Sequence, residues 1–170
     1  MNTPVAHPLS RQTIEDFAEY IRKRTQCTSC YIDIVKFIEL VIPRLDPTFN
    51  YEYVGEDTLP GGIYAYYDPK ENKLNVLESV YQRAIDGVGR DRFTLAHETG
   101  HYFMHDDGLT YARSTTAIPA YCNPEWQANT FASAFLIPRS LTMGMSIEEI
   151  MDTCKVSYQA ATIAFNRNQQ

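Results

Sequence analysis

The sequence lacks the features that mark membrane-spanning, secreted or generally nucleic-acid-binding proteins. Its longest apolar stretch, residues 131–138 (FASAFLIP), is far shorter than the roughly 20 residues that a membrane-spanning helix needs. The N-terminus lacks the charged and then apolar order of a signal peptide. Acidic residues outnumber basic ones by 21 to 15, and the net charge of −6 disfavours an extended nucleic-acid-binding surface. These absences predict a soluble cytoplasmic protein.

Internal repeats and low-complexity runs are also missing, and cysteines are few. Of the four cysteines, only Cys27 and Cys30 form a CxxC pair, and no second CxxC follows it. Such a pair is compatible with a redox centre or with half of a zinc knuckle. We favour the simpler interpretation of reduced, partly buried thiols. The length of 170 residues and the apolar content of 44% suit one globular domain with its own core.

Two helices are predicted at the N-terminus. In residues 9–24 the apolar side chains recur at helical spacing, and Ser10 is a suitable N-cap. Residues 31–42 repeat the pattern. Pro43 is expected to stop the second helix, because proline has no backbone N–H to donate.

The hydrophobic period then changes from that of helices to that of strands. Residues 49–54 (FNYEYV) alternate, and residues 61–68 (GGIYAYYD) are rich in strand-forming side chains. Residues 73–79 (KLNVLES) follow a segment that is typical of a turn. We therefore predict a small antiparallel sheet with a hairpin.

The second half of the chain is predicted to be mainly helical. One helix runs from Asp91 to about His105 and is expected to end at Gly108. Residues 106–124 contain Gly, Pro, Ser and Thr and are expected to form a loop that borders a cleft and acts as a lid. The helix that follows is closed by Pro138.

A last pair of helices is predicted in residues 146–167. Ser146 and Glu149 form a capping box, and Ser157 is a suitable cap for the second helix. The outline is that of a helix-turn-helix, but Arg167 is the only base in its second half, which leaves few phosphate contacts. We interpret the pair as a structural helical hairpin without direct nucleic-acid binding.

Three of the four histidines, His97, His101 and His105, lie four residues apart in residues 93–108 (FTLAHETGHYFMHDDG). On a helix, His97 and His101 project from one face, where two imidazoles can hold one Zn²⁺ at about 2.0–2.1 Å. Glu98 is rotated by about 100° from His97, so it flanks the metal and can take a proton from water there. This is the HExxH arrangement of metalloproteases. The alternative, histidines that are merely solvated or hydrogen-bonded, fits poorly with three of them on one stripe.

The third metal ligand has two candidates. His105 continues the stripe, but His97 and His105 would be about 12 Å apart along a straight helix. No glycine turn bends the chain back before Gly108. We therefore expect His105 to be an outer partner of the ligands or a helix-end residue, where its cationic form would suit the last turn.

Glu125, at the start of the next helix, is the other candidate. Asn129 follows one turn later on the same face, where its side chain could orient one of the histidines. Residue spacing alone leaves Glu125 as either a metal ligand or an exposed acid in the first turn of a helix.

Residues 92–105 (RFTLAHETGHYFMH), followed by residues 125–138 (EWQANTFASAFLIP), resemble the ImmA/IrrE family of metallopeptidases. The signature of that family is an RxxxAHExGH helix, a loop and an ExxANxFAxxxLxP helix. The resemblance covers roughly residues 60–138. The segment VSYQAATIAFNR near the C-terminus also resembles the helical end of these proteins.

The resemblance implies a gluzincin-like fold with one zinc ion per chain, held by His97, His101 and Glu125. It implies that Glu98 is the catalytic acid and base of a zinc endopeptidase. The implied substrates are DNA-binding repressors of phage, mobile-element or stress genes. Because the chain has no room for a helix-turn-helix domain of its own, the repressor would be a separate protein.

The combined prediction is one α+β domain over residues 1–170. Residues 1–45 would form N-terminal helices, residues 46–138 the zincin core and residues 139–170 the C-terminal hairpin. The sheet would pack on the HExxH helix, with the Glu125 helix beneath it.

Two details of the cleft are left with several candidates. The tyrosines of IYAYYD are either strand residues that pack on one face or part of an exposed edge that could pair with an extended substrate. Residues 74–77 (LNVL) are the other candidate for that edge. A donor for the oxyanion is expected. Its candidates are Tyr102, Tyr111, Tyr121 and Arg113.

An alternative function is a zinc-containing antirepressor or toxin–antitoxin partner that sequesters a regulator without cleaving it. The presence of Glu98 favours the enzyme, because a protein that only binds has no chemical need for this carboxylate.

Overall fold

The computed structural model of the chain describes residues 3–105, 110–112 and 118–169, and only the backbone of residues 110–112. It has the predicted α+β class. The helices are α1 (Arg11–Arg24), α2 (Ile34–Lys36), α3 (Ile42–Leu45), α4 (Glu78–Ile85), α5 (Gly89–Met104), α6 (Pro124–Leu136), α7 (Arg139–Thr142), α8 (Ile147–Cys154) and α9 (Tyr158–Asn168). The strands are β1 (Thr3–Val5), β2 (Asn50–Val54), β3 (Ala65–Asp68), β4 (Lys73–Leu77) and β5 (Thr110–Ala112).

The core lies where α5 and α6 cross, with α1 against α6 and the edge of the sheet against α5. Phe131 and Phe135 of α6 are fully buried there and stack with their ring centroids 5.3 Å apart. None of the helices in the described residues is long and apolar enough to span a membrane.

The first predicted helix is confirmed as α1. The Ser10 side chain accepts a hydrogen bond from the Thr13 backbone N–H at 3.1 Å, which caps the helix as predicted. The apolar stripe of α1, formed by Ile14, Ala18 and Ile21, is buried.

Pro43 does not stop the second helix, contrary to the prediction. The chain passes from α2 through a π-helical turn, Phe37–Val41, into α3, which contains Pro43 and continues to Leu45. In the π turn the Ile42 N–H donates to the Phe37 carbonyl, five residues back. This wider turn breaks the regular hydrogen-bond ladder just before proline, where the missing donor and the bulky ring would otherwise disrupt an α-helix.

The three-stranded sheet is mixed rather than wholly antiparallel. Its order is β2-β4-β3, in which β3 pairs antiparallel with β4 but β2 pairs parallel with β4. The predicted hairpin is therefore present as β3 and β4. Since β4 is the central strand, its residues 74–77 cannot serve as a substrate edge, and β3 is the edge strand that lies against α5.

Two helices, α4 and α7, and one strand pair in the described residues were not predicted from the sequence. The strand predicted in residues 73–79 ends at Leu77, and α4 begins at Glu78. Near the N-terminus, β1 pairs antiparallel with β5, with Thr3 opposite Ala112 and Val5 opposite Thr110.

The two helices of the motif region are confirmed as α5 and α6. The first starts at Gly89, two residues before the predicted start, and ends at Met104; Gly108 lies outside the described residues. The second is capped by Asn123, whose side chain accepts from the backbone N–H of Glu125 at 2.9 Å. Much of the predicted lid, residues 106–124, also lies outside the described part of the chain.

The C-terminal helical hairpin is confirmed as α8 and α9. Ser146 and Glu149 form the capping box, and the Ser157 side chain caps α9. Arg167 is buried and donates to the Ile137 carbonyl at 3.0 Å. The one base of the second helix therefore braces the core, which agrees with the structural interpretation of the hairpin.

Arg92 ties α5 to the rest of the domain. Its guanidinium is buried and donates to the carbonyls of Ile32 at 2.7 Å, Cys154 at 2.8 Å and Lys155. Lys155 ends α8 in the left-handed conformation, with φ of 54°. One charged side chain thus satisfies carbonyl groups from two separate segments, the loop before α2 and the end of α8.

Replacing Arg92 with Met should destabilise the protein by roughly 3 kcal/mol, because it leaves buried carbonyls without donors. Chemical denaturation monitored by circular dichroism measures the loss. Arg90→Met, the same change at an exposed position of α5, should stay within about 0.5 kcal/mol of wild type. Equal losses for both variants would contradict a special role for Arg92.

Candidate metal centre

Helix α5 aligns His97 and His101 one turn apart, with their side chains 15% exposed. Their Nε2 atoms lie 3.1 Å apart. Because both rings point their Nε2 atoms at the same place, they form one half of a site for a cation.

Helix α6 brings Glu125 to the same place. Its Oε2 lies 3.2 Å from His97 Nε2 and its Oε1 lies 3.3 Å from His101 Nε2. One ligand atom from each of these residues lies within 4.8 Å of the others. His97, His101 and Glu125 are called the candidate ligand cluster below. Although the Glu125 side chain is 64% exposed, its carboxylate faces the imidazoles.

The geometry of the candidate ligand cluster fits a zinc ion. Ligand atoms held at about 2.0–2.1 Å around a tetrahedral ion lie about 3.3–3.4 Å from one another. The two Nε2 atoms lie 3.1 Å apart, and each lies 3.2 or 3.3 Å from its nearer Glu125 oxygen, Oε2 for His97 and Oε1 for His101. Each of these separations is close to the expected value. Two imidazoles and one carboxylate, with a fourth position left for water or substrate, are the donor set of catalytic rather than structural zinc sites.

The electrostatics of the cluster also favour a cation. Hydrogen bonds from His101 and His97 hold the pKa of Glu125 well below its usual range. Burial disfavours the charged form of His97, but the contact with Glu125 and the negative charge of Glu98 outweigh it and raise the pKa of His97. The site therefore stabilises positive charge between the rings.

Glu98 lies beside the cluster and is held by the edge strand. Its Oε2 accepts a hydrogen bond of 2.9 Å from the backbone N–H of Tyr67 in β3. Burial raises the pKa of Glu98, although the positive charges of His101 and His97 and the Tyr67 N–H act in the opposite direction. A carboxylate with a raised pKa and a fixed oxygen is well suited to accept and return a proton.

Outer hydrogen bonds orient both histidines of the cluster. Asn129 Oδ1 lies 2.9 Å from His97 Nδ1, as expected for an outer partner. His105 Nδ1 lies 2.9 Å from His101 Nδ1, and its other nitrogen contacts Gln127. The structure therefore places His105 behind His101 rather than within the cluster.

His105 is at the end of α5 but not in the cationic form that the sequence suggested. It is buried, and burial lowers the pKa of its ring. A neutral, hydrogen-bonded ring therefore replaces the expected interaction between a charged ring and the helix end.

Gln127 is a site residue that sequence analysis missed. It is fully buried, and it lies on the inward-facing stripe of α6 together with Pro124 and Phe131. A glutamine in an otherwise apolar stripe could have identified this residue from the sequence, because a buried amide must find hydrogen-bond partners.

The remaining sequence candidates are placed as follows. Tyr102 donates its hydroxyl proton to Asp46 Oδ2 at 3.3 Å. Tyr121 is 51% exposed, in a 3₁₀ turn before α6. The side chain of Tyr111 and all of Arg113 lie outside the described residues. Cys27 and Cys30 are free thiols, partly buried against the core, as the simpler interpretation expected.

A groove of about 790 Å³ runs from Asn129 between α5, α6 and α9. Phe93, Trp126 and Ile163 give it an apolar lining, and Arg90 also lines it. Asn129, whose Oδ1 lies 2.9 Å from His97 Nδ1, is one of the residues that line the groove.

Comparison with known proteins gives one family match and a likeness of fold. A sequence model of Peptidase_M78, the IrrE N-terminal-like domain, matches residues 80–166, just over half of the chain. Among solved structures, a Mycobacterium tuberculosis transcriptional regulator has a similar fold, with a TM-score of 0.60 and 17% sequence identity. The similarity covers 90% of this chain but 46% of that structure, so the chain spans about half its length. A search of curated proteins finds no match.

Removing the carboxylate of Glu125 should weaken zinc binding by more than about 100-fold, which exceeds the usual effect of an outer partner. Isothermal titration of Glu125→Ala with zinc measures the change. Glu148→Ala removes an exposed acid from the first turn of α8 and should bind zinc like wild type. Unchanged affinity in Glu125→Ala would show that Glu125 is not a ligand.

Proposed function

The chain belongs to the Peptidase_M78 family, the IrrE N-terminal-like domain, and from this premise we propose that it is a zinc-dependent endopeptidase acting on an intracellular protein. One observation carries the proposal: three ligand atoms from two helices converge beside a carboxylate that the edge strand holds in place.

The candidate ligand cluster would hold the zinc ion. When bound, zinc acts as a Lewis acid that lowers the pKa of water and polarises the scissile carbonyl. The outer partners keep the imidazole rings in the orientation that binding requires, with Asn129 on His97 and His105 on His101.

Glu98 would carry the proton through the reaction. Its carboxylate takes a proton from the attacking water and delivers it to the nitrogen of the leaving amine. The Tyr67 N–H fixes one oxygen of this carboxylate, so that the group keeps its direction while it gains and loses the proton. The raised pKa of Glu98 brings proton uptake and release closer to neutral pH.

The edge of β3 is the surface that would bind an extended substrate. Tyr64 faces β4, because its carbonyl accepts from the Leu77 N–H at 3.0 Å. Residues alternate along a strand, so the backbone groups of Ala65 and Tyr67 face away from β4. The Tyr67 N–H reaches Glu98 there, which places the outward edge next to the proposed base. Because the Tyr67 N–H is already bonded to Glu98, a peptide added to this edge would pair with the outward backbone groups of Ala65 and pass beside the candidate ligand cluster.

The substrate that we propose is a separate DNA-binding repressor of the phage or mobile-element type. Two observations support a regulatory target. The family description refers to an IrrE N-terminal-like domain, and the similar fold is that of a transcriptional regulator. The acidic net charge of −6 and the structural role of the C-terminal hairpin favour action on a regulator rather than on DNA.

Glu98→Gln separates cleavage from binding. The amide keeps the shape and can still accept the Tyr67 hydrogen bond, but it cannot act as a base. Zinc content should stay near wild type, while cleavage of a candidate repressor incubated with the protein should fall by about 10²–10⁴-fold. Gel analysis of cleavage products and elemental analysis of the purified protein measure the two effects.

Glu78→Gln, the same change at an exposed position of α4, is the matched control and should cleave like wild type. The alternative function, sequestration of the regulator, predicts a different result. If Glu98→Gln relieves repression in cells as well as wild type does, the protein acts by binding.

A further inference from the structure

We propose that Gln127 and His105 are positioning residues that fix the tautomer of His101, so that its Nε2 lone pair faces the metal site. The proposal rests on the proposed function in that it takes His101 to be a zinc ligand. It assigns a role to Gln127, and it derives the role of His105 from a chain of hydrogen bonds that ends on the backbone.

The chain starts with two backbone carbonyls that fix the side-chain amide of Gln127. One terminal atom of this amide lies 2.7 Å from the His7 carbonyl oxygen and 2.8 Å from the Tyr121 carbonyl oxygen. Carbonyl oxygens only accept hydrogen bonds, so the atom that faces both must be the Nε2 donor. The Gln127 Oε1 atom must therefore point the other way.

The amide orientation then fixes the proton on His105. Gln127 Oε1 lies 2.9 Å from His105 Nε2. An amide oxygen is an acceptor only, so His105 Nε2 carries the proton and donates it. A neutral ring with its proton on Nε2 has a lone pair on Nδ1.

The same logic passes from His105 to His101. Their Nδ1 atoms lie 2.9 Å apart, so one must donate and the other accept. A His101 ring that gives its Nε2 lone pair to zinc carries its proton on Nδ1, so His105 Nδ1 is the acceptor of this hydrogen bond. A His101 ring with its proton on Nδ1 keeps the Nε2 lone pair for the metal, and that Nε2 is directed at Glu125 and His97. This is the form of histidine that binds zinc.

For His97, one hydrogen bond on Nδ1 is enough to leave Nε2 for the metal. Asn129 Oδ1 lies 2.9 Å from its Nδ1, and this oxygen can accept the proton. The two candidate histidine ligands therefore have different supports. His97 is oriented by Asn129, which is exposed on α6. His101 is oriented by two buried residues, His105 and Gln127. Their chain of hydrogen bonds ends at the Tyr121 carbonyl and at the His7 carbonyl in the segment before α1.

That segment is itself held in place. The Ala6 N–H donates to the Cys122 carbonyl and the Leu9 N–H to the Tyr121 carbonyl, each at 2.9 Å. The carbonyl of His7 lies between these two anchors, so its position relative to Gln127 is defined by backbone pairing. Backbone carbonyls cannot exchange donor and acceptor roles, which is why the chain of hydrogen bonds has one direction.

The first test reads the tautomers directly in zinc-loaded wild-type protein. Long-range ¹H–¹⁵N correlation spectra of histidine-labelled protein distinguish the protonated from the unprotonated ring nitrogen. The proposal expects the proton of His105 on Nε2 and the proton of His101 on Nδ1. Finding His101 with its proton on Nε2 alone, or His105 with its proton on Nδ1 alone, would overturn it. This reading needs no variant that might misfold.

The second test measures zinc affinity by competition with a chromophoric chelator. His105→Phe keeps a ring but removes the acceptor, and affinity should fall by about 10–100-fold while one zinc per chain still binds at saturation. His105→Asn should recover much of the loss, because its side-chain oxygen can accept from His101 Nδ1. Gln127→Met should also weaken binding, whereas Gln82→Met, at an exposed position of α4, should not.

The outcomes separate this inference from the proposed function. If wild type binds zinc but His105→Phe, Gln127→Met and the Gln82→Met control bind it equally well, the positioning role is wrong and the zinc site stands. If wild-type protein binds no zinc, the proposed function itself fails. A loss in His105→Phe that His105→Asn does not recover would indicate that packing, and not the acceptor, matters.

Discussion

The site depends on how closely α5 and α6 cross, and Gly100 sets that distance. A Cβ atom at this position would lie 3.2 Å from Ala128 Cα and 3.3 Å from the Ala128 carbonyl oxygen. Both atoms belong to a helix backbone, which cannot rotate out of the way as a side chain can. Because residue 100 carries only hydrogen, the first turn of α6 comes near enough for Glu125 to meet both imidazoles. An added Cβ at these distances would require a shift of about a few tenths of an ångström, which is as large as the whole range of zinc–ligand distances, about 2.0–2.2 Å.

Local rules predicted the helices well and the sheet less well. The caps at Ser10 and Ser146 depend on neighbouring residues in the chain, and both were predicted correctly. The direction of β2 was not, because an alternating pattern identifies a strand without saying which strand it pairs with or in which sense. The helix through Pro43 was missed for a related reason. A π-helical turn before the proline is set by the packing of its side chains, and its sequence pattern looks like that of an ordinary helix.

The candidate site, too, could be predicted from local rules only in part. The pairing of His97 with His101 follows from helical spacing alone, so the sequence was enough to predict that both rings share one face. Whether Glu125 faces them depends on the crossing of two helices, which spacing within one helix cannot determine. Family resemblance supplied that expectation. Gln127 was overlooked because its role depends on a carbonyl in residue 7, about 120 positions away along the chain.

The elements that hold the site extend beyond the part of the chain that matches the family. That match covers residues 80–166 and contains the candidate ligand cluster and Glu98. Two of the groups that orient these side chains lie before it, namely the Tyr67 N–H and the His7 carbonyl. Both are backbone groups, which residues of many types can provide. A sequence motif therefore need not include them. What constrains residues 7 and 67 is their place in the fold: one lies between two backbone pairs and the other in an edge strand. The chemistry of HExxH can therefore be encoded in a short motif, while its orientation requires the N-terminal segment and the sheet to fold around it.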